Sequence, residues 1–271
     1  MICPMEKKKN IPLGVKFLKL DLSRKASINK IPKCDIIFHL AGQSSGEKSF
    51  DSPIVDLEKN TISTLNMIEY GIKNKCRKII YASSMSVYGE PSDKSLNEKS
   101  QTYPISCYGI SKITSEKYIK IFSKKLPYII FRMFNVYGSG QNMKDLRQGM
   151  VSIYLSQALS GDKIKVKGSL NRRRDFIHVD DVTNIWMKTI KTRKINKIYN
   201  LSSGNNHKVK DLLKKILKLT GKKKILKLTG TIGDQFNSYS NNFQITKDFE
   251  YKKFISLDQG LKKFYNSEKN K

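Results

Sequence analysis

The chain has 271 residues, 38% hydrophobic and 10% aromatic, enough apolar surface to offset chain entropy in one large domain or two modest ones and to exclude a disordered protein. Its formal charge of +29 comes from 52 Lys and Arg against 23 Asp and Glu. The lysines are scattered over every segment, with no basic stripe and no helix-turn-helix, zinc-finger or RRM signature, so the charge reads as Lys-rich coding bias and no nucleic-acid partner is expected.

A basic surface still attracts anionic small substrates. The opening MICPMEKKKNIPLG is too short in apolar residues, and wrongly ordered, for a secretory signal, and no stretch approaches the ~18 apolar residues of a membrane helix. A soluble, cytoplasmic protein with no membrane partner is expected. Cys3, Cys34, Cys76 and Cys107 are widely spaced with no C-x-x-C pair, which argues against zinc and a disulfide framework and for reduced thiols. No metal is expected.

Short β-rich runs then alternate with amphipathic segments. CDIIFHLAG (34–42), RKIIYASS (77–84) and PYIIFRMFNVYG (127–138) read as strands, and the segments 52–75 and 106–125 between them as helices. Within the first helix Thr61, Leu65, Ile68 and Ile72 recur at the helical period, while 36–41 and 78–82 are near-continuous apolar. The alternation predicts an α/β fold, a doubly wound parallel sheet with a ligand crevice at the carboxyl ends of its strands. Ser83, Ser84 and Asn135 fall at such ends.

Beyond Gly138 the rhythm loosens: a helix near 145–159, strands at 163–168 and 173–179, a helix from Asp181, a strand at 197–203 and a helix from about Lys208 to Leu219. This suggests a sheet domain over 1–138 and a smaller mixed α/β substrate region over 139–271, some of whose segments pack back on the sheet. The octamer KKILKLTG occurs at 214–221 and again at 223–230. Two copies cannot make a solenoid, so the first is expected to end a helix at Gly221 and the second to form a strand or loop.

Tyr108 and Lys112 stand four apart in SCYGISK, on one helix face, a pairing that ordinary helices also show. Three neighbouring patterns raise its interest. YASSMSVYG (81–89) ends a strand on two serines, RMFNVYG (132–138) presents Phe134 and Asn135 at another strand end, and RRRDFIHVDDV (172–182) sets Arg172 and Arg174 on one face of an extended segment. Arginine offers a fork of donors matched to phosphate.

In this order the patterns resemble the extended short-chain dehydrogenase/reductase family, specifically its nucleotide-sugar epimerases and dehydratases. The resemblance runs from about Val15 through LDLSRK (20–25), FHLAGQSS (38–45), Asn60, SSMSVYG, YGISK, RMFNVYG, RRRDFIHVDDV, YNLSSG (199–204), GDQF (233–236) and LDQGLKKF (257–264). It implies a Rossmann-like sheet, NAD as cofactor, a nucleotide-diphosphate sugar as substrate and a homodimer. By the same resemblance Tyr108 is the acid/base on the sugar hydroxyl, Lys112 holds the nicotinamide ribose and keeps that tyrosine acidic, and Ser84 orients the substrate. Asp21 and Leu22 match positions near the adenine, Leu40, Ala41 and Gly42 the backbone alongside the cofactor, Asn60 the helix asparagine beside it and Phe134 a wall of its site. Asn135, Arg172 and Arg174 match substrate contacts, with Arg174 on the diphosphate.

The chemistry is consistent with those roles. A free Tyr with pKa ~10 is protonated at neutral pH, and bringing it near neutrality takes about 4 kcal/mol. A Lys charge ~4 Å away supplies up to about 4 kcal/mol at an effective dielectric of ~20 but only about 1 in water, so the pair works only when enclosed. Related dehydratases carry an acidic pair just after the serine; here Met85 and Ser86 stand there, and neither serves as acid or base. Inversion at C4 through a keto sugar needs only Ser84, Tyr108, Lys112 and the cofactor. Epimerase is the expected activity, with 4-ketoreductase and a non-catalytic sugar-nucleotide-binding relative or gene fragment as alternatives.

Two departures stand out. The family opens with a strand and a glycine-rich turn whose N–H groups hold the pyrophosphate, and no such turn precedes Ile36, so the first βαβ unit reads as missing and NAD binding is expected to be poor. Thr231 stands where many relatives place an arginine just before the Asp of GDQF.

Overall fold

The computed structural model describes residues 11–90, 95–147, 149–161, 163–222, 224–230 and 235–269. In chain order its first half runs α1 (Lys25–Ile28), β1 (Ile36–His39), α2 (Gly46–Asp51), α3 (Pro53–Leu57), α4 (Ser63–Lys73), β2 (Lys78–Ser84), α5 (Cys107–Ile121), β3 (Tyr128–Met133) and β4 (Asn135–Tyr137). The second half continues with α6 (Met150–Ser160), β5 (Lys163–Lys167), β6 (Arg173–Arg174), β7 (Phe176–His178), α7 (Val179–Lys188), β8 (Lys197–Leu201), β9 (His207–Lys208), α8 (Val209–Thr220), β10 (Lys224–Leu228), β11 (Asn237–Ser238), α9 (Phe243–Phe249) and α10 (Leu257–Lys269).

The apolar runs at 36–39, 78–84 and 128–133 form a parallel sheet ordered β1-β2-β3-β8, with Ile36 opposite Lys78, Ile80 opposite Ile129 and Phe131 opposite Tyr199. Alternation along β2 sorts its side chains between two cores. Ile79 and Tyr81 meet Met67 and Ile68 of α4 and Ile119 of α5; Ile80 meets Ile185 and Trp186 of α7 and Phe249 of α9. The sheet is thus wound on both faces, as expected of near-continuous apolar strands, and each fully buried Ile contributes roughly 1.5–3 kcal/mol relative to exposure.

The helix expected over 52–75 is interrupted. Between α3 and α4 a π-turn spans Glu58–Ile62, burying Asn60 and Thr61. Polar side chains compete for the carbonyls there: Thr64 Oγ1 donates to Asn60 O at 2.6 Å and Ser63 Oγ to Lys59 O at 2.5 Å.

The second half supplies a separate core, in which Val209, Leu212, Leu213 and Ile216 of α8 pack with Leu155 of α6, Ile164 of β5 and Phe264 of α10. It also contributes β8, which pairs with β3 and completes the first sheet. The tandem octamer splits by context: the first KILKL lies in α8, which ends at Gly221 with φ +71, and the second forms β10, parallel to β5 and exposed throughout. Identical residues adopting two structures show tertiary context overriding propensity. Among the described residues no helix is long and apolar enough to cross a membrane, and no cluster of His, Cys, Asp and Glu could hold a metal ion.

Candidate active site

β2 ends on Ser83 and Ser84, whose side chains leave opposite faces. Ser83 Oγ turns into the protein and donates to Glu116 Oε1 at 2.5 Å, and the same carboxylate accepts from Arg132 NH2 at 2.8 Å in an ion pair buried on both sides. Ser84 caps a short 3-10 turn over Met85–Tyr88, its Oγ accepting from Ser86 N at 3.1 Å.

That turn abuts the start of α5. Ser106 caps the helix by accepting from Gly109 N at 3.1 Å, and a Cβ at Gly109 would fall 2.6 Å from Ser86 O, so only glycine permits the approach. Tyr108, the preceding residue, is thereby set beside Ser84. One turn later Lys112 donates from Nζ to Ala82 O at 2.9 Å, with Nζ 5.6 Å from the Tyr108 ring centre and 4.9 Å from that of Tyr81. Burial pushes the Tyr108 phenol up to about 12, against the Ser84 hydroxyl, which favours the phenolate. Burial pulls the Lys112 ammonium down to about 8, against the Asp56 and Glu116 carboxylates.

Leu40 and Gly42 line the crevice at the end of β1, and Phe134, 2% exposed, closes it beyond β3. A Cβ on Gly42 would collide with Asn60 Oδ1, so the backbone runs directly over that side chain. Asn60 Nδ2 donates to Asp56 Oδ1 at 3.0 Å and Gln43 Nε2 to the same oxygen at 2.8 Å. Asn60 Oδ1 and Asp56 Oδ2 are buried and have no hydrogen-bond partner.

The opposite wall is cationic. Arg172 and Arg174 flank Arg173 and are 5% and 2% exposed. Their forks are held by backbone carbonyls: Arg172 Nε donates to Ser169 O at 2.9 Å, and Arg174 NH1 to Arg173 O at 2.8 Å and Phe236 O at 3.1 Å. Burial, and then the neighbouring Arg172 charge, pull Arg174 down to about 9. Asn135 donates from Nδ2 to Asp175 O at 2.8 Å.

One cavity of about 980 Å³ brings together Leu40, Gly42, Ser84, Tyr108, Lys112, Phe134, Asn135, Arg172 and Arg174 among its lining. Asp21, Leu22, Ala41 and Asn60 are not on its wall. Asp21 is bound by Lys59 Nζ at 2.7 Å and by Ser23 Oγ at 2.7 Å, the lysine foremost in holding its carboxyl down at about 2. Leu22 is a core residue beside Ile28 and Ile37, its carbonyl accepting from Asn66 Nδ2 at 2.8 Å, and Ala41 packs against the same core. Gly233 and Asp234 of GDQF, with Thr231, lie outside the described residues, while Gln235 lines the cavity.

Two residues around the cavity escaped sequence reasoning. Asp56 stands one helical turn before Asn60, which sequence reasoning did single out, so a signal for it was present. Tyr154 of α6 carried none, yet it lies against the arginines, whose charges act on its phenol. From the rim, α2 reaches across the mouth: Ser45 Oγ donates to Arg147 O at 2.7 Å, Lys48 pairs with Asp145 at 2.6 Å, Asp51 with Arg147 at 2.5 Å and Glu47 with Lys167 at 2.8 Å.

Known proteins share this architecture. A family model described as the NAD dependent epimerase/dehydratase family matches residues 3–202. The "Putative UDP-glucose 4-epimerase" of Methanocaldococcus jannaschii is 29% identical over 269 residues, 97% of this chain and 87% of that protein. The dTDP-4-dehydro-6-deoxyglucose reductase of Escherichia coli is 28% identical over 235 residues, 85% of this chain and 74% of that protein. Among solved structures, the Thermotoga maritima UDP-glucose 4-epimerase with UDP-glucose superposes with a TM-score of 0.94 at 26% identity, covering 98% of this chain and 88% of that one. With most of its length matched by the family model and its sheet, crevice and helices arranged as described, the chain belongs to the NAD dependent epimerase/dehydratase family.

Proposed function

We propose that this protein is a nucleotide-sugar 4-epimerase that inverts C4 of an NDP-hexose through a transient 4-keto sugar. The observation that carries this reading is the convergence of Ser84, Tyr108 and Lys112 on one wall of a cavity whose other wall holds Arg172 and Arg174. The residues on the sheet side suit a dinucleotide: a backbone stretch at Gly42 that tolerates no side chain, the unpartnered Asn60 Oδ1 beneath it, and the aromatic face of Phe134. Leu40, Gly42, Asn60, Lys112 and Phe134 would hold NAD, with Asp21, Leu22 and Ala41 behind them. When bound, NAD supplies the acceptor for the hydride leaving C4.

The chain's own groups handle protons and orientation. Tyr108 takes the proton of the C4 hydroxyl and returns it to the C4 oxygen once the keto sugar has turned over to present its opposite face, and Ser84 donates a hydrogen bond to the same oxygen. The Lys112 charge offsets the cost of a phenolate that burial otherwise pushes up to about 12. Arg172, Arg174 and Asn135 hold the nucleotide diphosphate, a buried fork of donors being suited to two phosphates. Met85 stands where a dehydratase would need an acid; its Sδ accepts from Ser238 Oγ at 2.8 Å, which ties it to packing and away from proton transfer.

We read residues 1–138 as the dinucleotide-binding unit and 139–271 as the substrate unit, in a cytoplasmic homodimer. The dimer reading draws on one exposed apolar face: Ile54 and Leu57 of α3 with Ile110 and Ile121 of α5 are 69%, 42%, 52% and 73% exposed, and α3 packs against α5. Incubating the protein with excess NAD and UDP-glucose or UDP-N-acetylglucosamine, and following the sugar by NMR, tests the reaction. The C4 epimer is expected. No epimer across a panel of such sugars, together with reduction of an NDP-4-keto sugar in the presence of NADH, would replace this reading with the 4-ketoreductase one, which the Escherichia coli relative favours.

A further inference from the structure

Far from the crevice, at the amino ends of the strands, lies a second set of reactive groups. Cys34 stands two residues before β1 and Cys76 two residues before β2. Ile36 pairs with Lys78 in parallel register, and Arg77 N donates to Asp35 O at 2.7 Å, so the pairing continues backwards through this step. Extended two residues, the register sets Cys34 opposite Cys76 with both side chains on one face. Neighbouring strands lie about 4.7–4.9 Å apart, within the roughly 4.4–6.8 Å between Cα atoms that a disulfide spans. The two sulfurs are 3.9 Å apart. Closing them to the ~2.05 Å of a covalent bond asks for side-chain rotation without a backbone shift.

The two thiols differ in access. Cys34 is exposed, whereas Cys76 is 5% exposed and its Sγ donates to Cys34 O at 3.0 Å. Burial, and then the adjoining Cys34, push the Cys76 thiol up to about 12, so the partner that meets an oxidant from solution is Cys34. The Tyr70 hydroxyl, which donates to Pro32 O at 2.5 Å, lies 3.6 Å from Cys34 Sγ and flanks it.

We propose that Cys34 and Cys76 are a redox pair, forming a reversible disulfide that staples the start of β1 to the start of β2 when a peroxide is the oxidant. The Cys34 thiolate attacks the peroxide, an S–O bond forming as the O–O bond breaks, to give a sulfenic acid and hydroxide. The Cys76 sulfur then attacks that sulfenic sulfur; the S–S bond forms, the S–O bond breaks, and the departing hydroxide leaves as water with the thiol proton. Two thiols are oxidised and one peroxide is reduced to two waters. Among the described residues β1 pairs with β2 alone, so the staple secures the strand whose other end carries Leu40 and Gly42. It also closes the loop holding α2 to α4, which restricts the unfolded chain and favours the folded one.

The test uses the full-length chain, purified reduced and treated with a slight excess of hydrogen peroxide, then blocked, digested and mapped by mass spectrometry beside thermal unfolding curves. A link between the Cys34 and Cys76 peptides with loss of two hydrogens is expected, reversed by dithiothreitol, with an unfolding midpoint several degrees above the reduced form. Cys34→Ser, a substitution at an exposed site, should lose both the link and the shift, and Cys76→Ala should lose the link. Cys34 accumulating as a sulfinic acid without a link, a link to Cys107 or between two chains, or a midpoint shift that survives in Cys34→Ser would overturn the proposal.

Discussion

The two walls of the crevice are built differently. The sheet wall, with Ser84, Tyr108 and Lys112, is assembled from neighbours in sequence on a strand end and one helix turn, and is braced from behind by the buried Glu116–Arg132 pair. The facing wall joins Arg172 and Arg174 to Gln235 and Phe236 some sixty residues later and is closed by ion pairs between α2 and the segment 145–167. A rigid, enclosed wall suits proton transfer, which tolerates little misplacement, whereas a wall held by partly exposed pairs can open to admit a large anion. Defects in the first should therefore appear in turnover and folding, and defects in the second in substrate affinity and salt dependence.

The largest effect expected is on turnover. Tyr108→Phe should lower kcat by about 10² to 10⁴, with the fold intact by circular dichroism, and Lys112→Met added to it should cost little more because the two act as a unit. Glu116→Gln leaves Arg132 buried without its counter-charge and should lower stability by about 3–5 kcal/mol in a denaturant titration. An unchanged midpoint would remove the brace from the account.

Lys112 itself gives a pH signature. Burial pulls its ammonium down to about 8 in the folded protein from the 10.5 of a free lysine, so the native state carries a burial penalty below pH 8, and stability rises between pH 8 and 10.5 as that proton is lost. The penalty is roughly 3 kcal/mol at most. Lys112→Met should accordingly unfold at a higher temperature than the parent at pH 7, while turning over less, and the gap should close as pH rises through that window.

On the facing wall, Arg174→Lys keeps the charge but loses the planar fork, and should raise KM by about tenfold or more with kcat little changed. Asp51→Asn, at the exposed rim, should cost less than about 1 kcal/mol of closure, read as a modest rise in KM that vanishes at high ionic strength. Equal loss of kcat and kcat/KM in Arg174→Lys would erase the distinction between the walls.

The same contrast explains what could be read in the sequence. The strands at 36–39, 78–84 and 128–133 declare themselves by apolar runs, and Tyr108 with Lys112 by a spacing of four, because period and spacing are local properties. The π-turn at Glu58–Ile62 was hidden by a regular apolar repeat, since the hydroxyls that bond its carbonyls lie outside that repeat. The pairing of β8 with β3, and of Cys34 with Cys76, depends on register between distant segments that no local pattern records. The repeated KILKL has one local pattern and two structures. Leu22 and Ala41, matched by resemblance to positions beside the cofactor, have side chains that pack in and against the core, a placement that no local pattern records.

In the proposed reaction Tyr108 and its wall oxidise and restore one carbon of the sugar. Incubating the protein, NAD and UDP-glucose deuterated at C4, then examining the product by NMR, follows that carbon itself. The expected product is the C4 epimer with deuterium kept at C4, formed at a rate that falls by orders of magnitude in Tyr108→Phe. An epimer whose label has washed out into water, or one formed equally fast by Tyr108→Phe, would contradict it.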